Sequence, residues 1–363
     1  AGGLSMADRD AGETTTLNGT LRSAGAAIAV DRLILGASAE IDATNDDAES
    51  GGASITIARG LDLDGKTLTT KAGNHNTRLT GSGDLTAGIL DVASGGLYLG
   101  IDSSTPAAIT LAEGNVALNV SAGNTLQVSQ GSTVDAESHT LTMRADTMAL
   151  LSAADSITGA AVILAPTTTD LAINLGDGAS DDLALDQSEF DALNTATIQI
   201  GESGNTSAIT LAALSIDNSR LDIAADADGS GSGGGTVAFT GNFVSTATEM
   251  PGDIGLQIDG TGSTTVLGAN LTASSDIVIN DALQVIGGDR LIDTSSGDAD
   301  ITVTGGTGGL YSAAGQNNAL SFDAGSGDVD LGSSAGLGDN PGTDSALGDL
   351  TVNAGSLTLN DTA

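Results

Sequence analysis

The amino-acid sequence predicts an all-β protein that coils into a right-handed parallel β-helix, a solenoid with turns of uneven length and at most one or two short helices. Short apolar-x-apolar pairs recur along nearly the whole chain, and glycine or small polar residues separate them. The chain has 52 Gly but only 2 Tyr, 4 Phe and no Trp. A thin coil filled with Leu, Ile, Val and Ala needs few large aromatic side chains.

Alternation with a period of two predicts strands that bury one face. The apolar positions of the clearest runs are Ile109/Leu111, Leu118/Val120, Leu126/Val128, Val134 and Leu141/Met143, then Leu271, Ile277/Ile279, Leu283/Val285, Leu291 and Ile301/Val303, and finally Leu350/Val352 and Leu357/Leu359. Strands at this spacing also occur in sandwiches and barrels. Two or three apolar positions per strand are too few for a large sandwich core, which favours the solenoid.

Three strands per turn give turns, here called rungs, of roughly 20–25 residues and about 15 rungs in all. With ~4.8 Å between paired strands the coil would be roughly 75 Å long. The formal net charge of −37 then amounts to about one negative charge per 2 Å, close to the one per ~1.7 Å of duplex DNA. We therefore expect a dense layer of counter-ions and at least loose binding of divalent cations.

The charge balance excludes several classes of partner. Asp and Glu number 47 against 10 Lys and Arg, and Asp outnumbers Glu by 39 to 8. Binding to nucleic acid needs a basic patch, and an anionic membrane surface repels an acidic chain. No apolar run approaches the roughly 20 residues of a membrane span. We therefore expect no nucleic-acid partner and no direct membrane insertion, and the absence of Cys excludes disulfides.

One short helix is predicted from about Gln187 to Asn194, because Asp186 and Glu189 have the spacing of a capping box. Strand pattern resumes on both sides of the predicted loops, so we expect residues 1–363 to form one continuous solenoid. The strand pattern reaches Leu359 and no amphipathic cap precedes the first strands. Such ends are typical of a segment of a longer chain or of a unit that stacks on other copies.

Catalytic motifs are weak, and we expect no enzyme activity. Residues 332–336 match the G-x-S-x-G nucleophile pattern, but that pattern needs a later His, and both His75 and His139 precede it. The pairs Asp46-Asp47 and Asp181-Asp182 offer two carboxylates for glycoside hydrolysis. The sequence lacks the Gly-His-Gly segment and the basic clamp with which polygalacturonase-like enzymes hold an acidic polysaccharide.

Two Asp-rich turns are candidate Ca²⁺ sites. Asp226 and Asp228 begin a segment like a Ca²⁺-binding loop, but Val237 stands where the bidentate Glu of an EF-hand belongs. Asp177 and Asp181 lie in a segment that shares Asp and Leu with the Ca²⁺-binding nonapeptide repeat, yet it occurs once and lacks that repeat's glycines. Solvated turn aspartates and Ca²⁺ ligands both explain these four residues, which are the candidate metal ligands, with Ca²⁺ as the candidate cofactor.

Paired apolar residues followed by Gly- and Asp-rich turns occur at Val162–Pro166, Ile173–Gly176, Leu183–Phe190 and Ala196–Gly201, and again at Ile292–Val303, Leu320–Gly332 and Leu347–Leu359. These stretches resemble the repeats of large surface proteins of Gram-negative bacteria, the filamentous haemagglutinin-like adhesins. The segment Leu61–Leu68 also looks like an autotransporter passenger repeat. The resemblance implies a secreted, right-handed parallel β-helix at the bacterial cell surface that acts in attachment, aggregation or surface-layer building.

Two functional hypotheses follow from the charge, the strand pattern and the resemblance. The first is a non-enzymatic extracellular structural protein whose copies join through Ca²⁺ into a surface fibre, sheath or layer. The alternative is a stalk segment of a secreted adhesin that displays a binding tip for surface glycans or other cells. Binding of a glycan or receptor by this segment alone would favour the second hypothesis.

Overall fold

The structure, a computed structural model, describes residues 4–6, 14–49, 51–176, 183–202, 207–225, 235–246, 254–259, 263–304, 309–332 and 345–359. The chain forms two compact units. Unit 1 comprises Ala1–Thr168 and Ser188–Thr195, and unit 2 comprises Thr169–Gln187 and Ala196–Ala363. The described ranges contain no helix long and apolar enough to cross a membrane. The expectation of one continuous solenoid over residues 1–363 stays a prediction.

Short strands follow one another along unit 1. In chain order they are β1 (Leu4–Met6), β2 (Thr15–Leu17), β3 (Thr20–Arg22), β4 (Ile28–Val30), β5 (Leu33–Leu35), β6 (Ala39–Asp42), β7 (Ile55–Ile57), β8 (Leu61–Asp62), β9 (Thr67–Lys71), β10 (Thr77–Leu79), β11 (Gly81–Leu85), β12 (Gly88–Ser94), β13 (Leu97–Leu99), β14 (Ala107–Leu111), β15 (Val116–Val120), β16 (Thr125–Val128), β17 (Thr133–Asp135), β18 (Thr140–Arg144), β19 (Thr147–Leu150) and β20 (Ile157–Ala165). Every third strand is paired in parallel, which gives three stacks, here called ladders. Ladder 1 runs through β1, β4, β7, β10, β13, β16 and β19. Ladder 2 runs through β2, β5, β8, β11, β14 and β17, ladder 3 through β3, β6, β9, β12, β15 and β18, and β20 extends both.

Unit 2 has the same construction. Its strands are β21 (Ile173–Gly176), β22 (Leu183–Asp186), the later part of β23 (Leu193–Ile200), β24 (Ile209–Leu211), β25 (Leu214–Ile216), β26 (Arg220–Ala224), β27 (Thr236–Phe239), β28 (Phe243–Ser245), β29 (Ile254–Asp259), β30 (Thr264–Leu267), β31 (Leu271–Ala273), β32 (Asp276–Ile279), β33 (Ala282–Val285), β34 (Arg290–Asp293), β35 (Ile301–Val303), β36 (Leu310–Ser312), β37 (Leu320–Asp323), β38 (Asp328–Asp330), β39 (Leu350–Asn353) and β40 (Ser356–Thr358). Ladder 4 contains β22, β21, β24, β27, β30, β33 and β36. Ladder 5 contains β25, β28, β31, β34, β37 and β39, and ladder 6 contains β23, β26, β29, β32, β35, β38 and β40. The prediction of an all-β, parallel β-helical fold is confirmed.

Rung length varies more than the sequence predicts. Met143 pairs with Leu164, 21 residues later, whereas Leu221 pairs with Leu256, 35 residues later. Turns of different length therefore leave the ladders in register, because hydrogen bonding constrains the strands and not the segments between them.

The interior of each unit is built from columns of inward-facing aliphatic residues. Leu90, Leu118, Met143 and Leu164 occupy equivalent positions on successive rungs of ladder 3 and are buried. Full burial of such a side chain contributes roughly 1.5–3 kcal/mol. The rungs thus stabilise one another through a narrow apolar core as well as through backbone hydrogen bonds.

Most of the few aromatic side chains are buried in the core. All four Phe are buried, and Phe239 and Phe243 in unit 2 meet edge to face with ring centroids 6.3 Å apart. Tyr311 is buried as well. The sequence predicts a mainly aliphatic interior. Phe190 shows where unit 1 accepts a larger side chain, and the other buried aromatic residues show where unit 2 does.

Three sequence predictions need correction. Leu357 and Leu359 are predicted to lie on the buried face of a strand but are 45% and 53% exposed, because among the described strands β40 is covered on one side only, by β38. Leu291 is half-buried, and its neighbour Ile292 is the inward residue of β34. The helix begins at Gln187 as predicted, but it ends at Asp191, because β23 begins at Leu193. The carboxylate of Glu189 accepts a hydrogen bond from the Leu150 amide at 2.9 Å, a long-range contact that the capping-box spacing does not predict.

Candidate acidic site

Three carboxylates converge at one corner of unit 1. Glu40 and Asp42 belong to β6, and Asp46 lies in the turn that follows it; one oxygen of each lies within 4.8 Å of the others. Glu40 and Asp42 share a face of the strand because side chains alternate. Asp42 is fully buried, whereas the side chain of Asp46 is 64% exposed.

A left-handed turn brings Asp46 back towards the strand. Asn45, Asp46 and Asp47 have φ values of 57°, 58° and 63°. The left-handed conformation costs roughly 1–2 kcal/mol for an ordinary L-residue, and Asn and Asp tolerate it best. The amide of Glu49 closes the turn on the Thr44 carbonyl at 2.8 Å.

The carboxylate of Asp42 holds this turn in place. Its Oδ1 accepts hydrogen bonds from the amide and the hydroxyl of Thr44, both at 2.7 Å. Its Oδ2 accepts the amide of Asp46 at 2.8 Å. The buried carboxylate therefore satisfies two backbone amides of a strained turn, which is the local reason for an Asp at the end of β6.

Two cations of the same chain offset two of the three formal negative charges of the cluster. Arg22 contacts Asp46 through two parallel hydrogen bonds of 2.6 Å and places its Nε 3.0 Å from the Oδ2 of Asp42. The Nζ of Lys71 lies 3.1 Å from Glu40. The β-pairing causes this alternation of charge, because Arg22, Asp42 and Lys71 occupy one register position on three successive rungs.

The ionisation of these groups follows from their contacts. Burial alone would raise the pKa of Asp42, but the hydrogen bonds from Asp46 and Thr44, together with the charge of Arg22, outweigh it and hold the pKa below its ordinary value. The hydrogen bond to Glu40 raises the pKa of Lys71. Both groups are therefore charged at neutral pH, and the cluster is an ion-pair network.

The arrangement limits what the corner can bind. Three carboxylates within 4.8 Å supply the oxygen ligands that a hard divalent cation prefers. The guanidinium of Arg22 contacts two of them and lies 3.9 Å from Glu40, so an added cation must compete with it. The contacts suit a structural role, in which the network fixes the turn after β6.

A different acidic feature lies in unit 2. The carboxylate of Asp276 accepts the backbone amide of Asp300 at 2.8 Å, and that of Asp300 accepts the amide of Asp328 at 2.7 Å. Asp293 and Asp323 are direct neighbours in ladder 5, and Asn353 donates to Asp323 at 2.8 Å. The carboxylates of Asp276, Asp300 and Asp323, here called the acidic column, thus accept hydrogen bonds from backbone amides or from an asparagine side chain.

The structure tests the predicted site residues only in part. Asp177, Asp181, Asp226 and Asp228 all lie outside the described residues, and so does Ser334 of the G-x-S-x-G segment. Their assignment as Ca²⁺ ligands stays a prediction. Of the two acidic pairs considered for glycoside hydrolysis, Asp46-Asp47 lies among the described residues. Arg22 binds Asp46, and the hydroxyl of Thr44 lies 3.3 Å from the carboxylate of Asp47.

Sequence analysis missed the cluster of Glu40, Asp42 and Asp46. The available signal was a change of charge sign at equivalent positions of successive rungs, from Arg22 to Asp42 to Lys71. These residues are 20 and 29 positions apart in the sequence, so a search at constant spacing does not align them.

Comparisons with protein-family models, with curated proteins and with solved structures found no match. The resemblance to filamentous haemagglutinin-like adhesins therefore stays a prediction from the sequence.

Proposed function

We propose that the protein is a non-enzymatic structural component of a bacterial cell surface, an acidic β-solenoid that builds an extracellular fibre, sheath or layer. The observation that supports it most directly is the parallel pairing in all six ladders. Such stacks resist unfolding through many backbone hydrogen bonds, and each rung buries its apolar residues against its neighbours.

The external surface supports association through cations. A charge of −37 makes two copies repel each other unless counter-ions bind. Ca²⁺ prefers carboxylate and carbonyl oxygens and accepts irregular geometry. Ca²⁺ in the Asp-rich turns of one copy would take oxygen ligands from a second copy, and the partner of this protein is then the protein itself.

Electron microscopy of the purified chain tests the proposal. Samples are prepared in millimolar Ca²⁺, in millimolar Mg²⁺ and in EDTA at the same ionic strength. We expect fibres or sheets in Ca²⁺ that dissolve in EDTA. Mg²⁺ is the matched control, because it demands regular octahedral geometry and releases its water reluctantly.

The other outcomes are informative as well. Assemblies that persist in EDTA would contradict cation bridges and would indicate direct pairing of strand edges between copies. Separate particles under all conditions would contradict a polymer and support the stalk of an adhesin. Binding of these particles to a glycan array or to cells would strengthen that alternative.

A further inference from the structure

One inward column of unit 2 contains a polar residue. The inward positions of ladder 4 are held on successive rungs by Leu183, Ile173, Ile209, Val237, Thr265, Leu283 and Leu310. Thr265 has the shape of valine and is fully buried. A hydroxyl in such a place needs a hydrogen-bond partner.

The partner is a buried aspartate. Asp281 lies between β32 and β33 and is 1% exposed. The hydroxyl of Ser263 donates to its Oδ1 at 2.6 Å, and the hydroxyl of Thr265 donates to its Oδ2 at 3.0 Å. Ser263 is also buried. These three residues, here called the buried triad, form a polar cluster inside an apolar coil.

No cation in the described part of the neighbouring strands faces Asp281. Of the strands that border the buried triad, β29 contributes Asp259, β32 contributes Asp276 and β36 contributes the phenol Tyr311. The described residues of β30, β33 and β35 contain no Asp, Glu, Lys, Arg or His. Asp259 therefore adds a repulsive charge, and the hydroxyls are the stabilising contacts of the Asp281 carboxylate.

We propose that the buried triad is a proton-binding site that strengthens unit 2 when its surroundings become mildly acidic. A proton from solvent adds to one oxygen of Asp281 and cancels its charge. The hydroxyl that donated to this oxygen turns and accepts the new O–H, since a Ser or Thr hydroxyl both donates and accepts. No hydrogen bond is lost, and the cost of a buried, unpaired charge is removed.

The titration of Asp281 agrees with this geometry. Burial raises its pKa to about 6; the hydrogen bonds from Ser263 and Thr265 oppose the shift and the charge of Asp259 adds to it. A carboxyl that binds its proton more tightly in the folded state adds stability as the pH falls through the folded pKa. This contribution is complete below the unfolded pKa of about 4. Asp281 should therefore increase the folding equilibrium constant about tenfold between pH 7.5 and pH 5.

The test compares the pH dependence of unfolding in the full chain and two variants. Asp281→Asn imitates the protonated carboxyl, and Asp349→Asn makes the same change of charge at an exposed residue of unit 2. Urea unfolding is followed between pH 7.5 and 5 by hydrogen exchange of β30 and β33. We expect the folding constants of wild type and Asp349→Asn to rise by the same factor, and that of Asp281→Asn to rise by a factor about tenfold smaller, because only this variant lacks the titrating carboxyl.

Thr265→Val tests the role of the buried triad independently of whether Asp281→Asn folds. Thr265→Val preserves the shape of the column but removes one donor to the carboxylate, which raises its pKa further. The pH at which β30 and β33 gain stability should then move upwards. Equal pH dependence of wild type and Asp281→Asn, or an unmoved midpoint in Thr265→Val, would overturn the proposal.

Discussion

Unit 1 and unit 2 share one construction, three parallel ladders around an apolar core, but they treat their carboxylates differently. Unit 1 contains 21 Asp and Glu and 8 Lys and Arg, a formal charge of −13, whereas unit 2 contains 26 acids and 2 bases, a formal charge of −24. Unit 1 pairs acids with cations, as in the contacts of Arg22, Lys71 and Arg59. The acidic column of unit 2 relies on backbone amides and an asparagine side chain.

The same contrast holds in the two interiors. Unit 1 buries the carboxylate of Asp42 with a cation beside it, the Nε of Arg22 at 3.0 Å, and a neutral pair in which the hydroxyl of Thr77 donates to that of Thr70 at 2.8 Å. Unit 2 buries an ionisable carboxyl, Asp281, between two hydroxyls. The comparison teaches that one fold accepts either solution, and that the choice determines how each unit responds to pH and salt.

The largest expected effect concerns the core of unit 2, where Phe239 and Phe243 pack together. Phe239→Ala should lower the free energy of unfolding of unit 2 by about 4 kcal/mol, because it leaves a cavity and removes the aromatic contact. Phe239→Leu, the control, should cost about 1 kcal/mol. Urea unfolding monitored by hydrogen exchange in each unit measures both. Equal losses of unfolding free energy in the two units would contradict an effect confined to unit 2.

The next effect concerns the ion pairs of unit 1. Asp42→Ala should destabilise unit 1 by about 3 kcal/mol, because it leaves Arg22 without its buried partner and two turn amides without an acceptor. Asp91→Ala removes an acid from the same ladder, where Asp91 is partly exposed, and should cost less than about 0.5 kcal/mol. Urea midpoints compare the two variants. A loss below about 1 kcal/mol for Asp42→Ala would mean that the turn does not depend on this carboxylate.

Acidification should separate the two units. The pKa values of Asp42 and Asp146 in unit 1 lie below the ordinary value, because hydrogen bonds to their carboxylates outweigh the opposing effect of burial. Stability from these groups is present above the unfolded pKa of about 4 and is lost as the pH falls further. Burial raises the pKa of Asp222 and Asp281 in unit 2, so these groups add stability as the pH falls.

Hydrogen exchange, corrected for the intrinsic rate at each pH, should detect this difference. Between pH 7 and 4.5 we expect stronger protection in unit 2 and unchanged protection in unit 1. Below about pH 4 protection should fall in unit 1 first. Equal changes of protection in both units would show that general charge repulsion, and not the individual carboxyls, controls the response to pH.

Salt should have the smallest effect. Raising the NaCl concentration from about 20 mM to about 0.5 M shortens the Debye length and screens repulsion among exposed carboxylates. Unit 2 should gain up to about 1 kcal/mol, whereas unit 1 should change little because its weakened ion pairs offset the gain. Exchange rates at the two salt concentrations measure this. A larger gain in unit 1 would contradict the contrast between the units.

Local alternation made much of the fold predictable. Ile109 and Leu111, or Leu118 and Val120, point inward whatever lies above them, because side chains alternate along any strand. The pattern failed at β34, where Leu291 and Ile292 are both apolar and both readings of the alternation are possible. The pairing of Ile292 with Leu271 decides which of the two faces inward.

The sequence by itself thus determined the class of fold, the aliphatic interior and the acidic exterior, since these depend on composition and on contacts within a strand. Only the tertiary structure decided which distant residues meet. Arg22 meets Asp42 across 20 residues and Thr265 meets Asp281 across 16. Hydrogen bonding between strands sets these registers, and because turns of unequal length separate the strands, no constant spacing in the sequence reveals which residues meet.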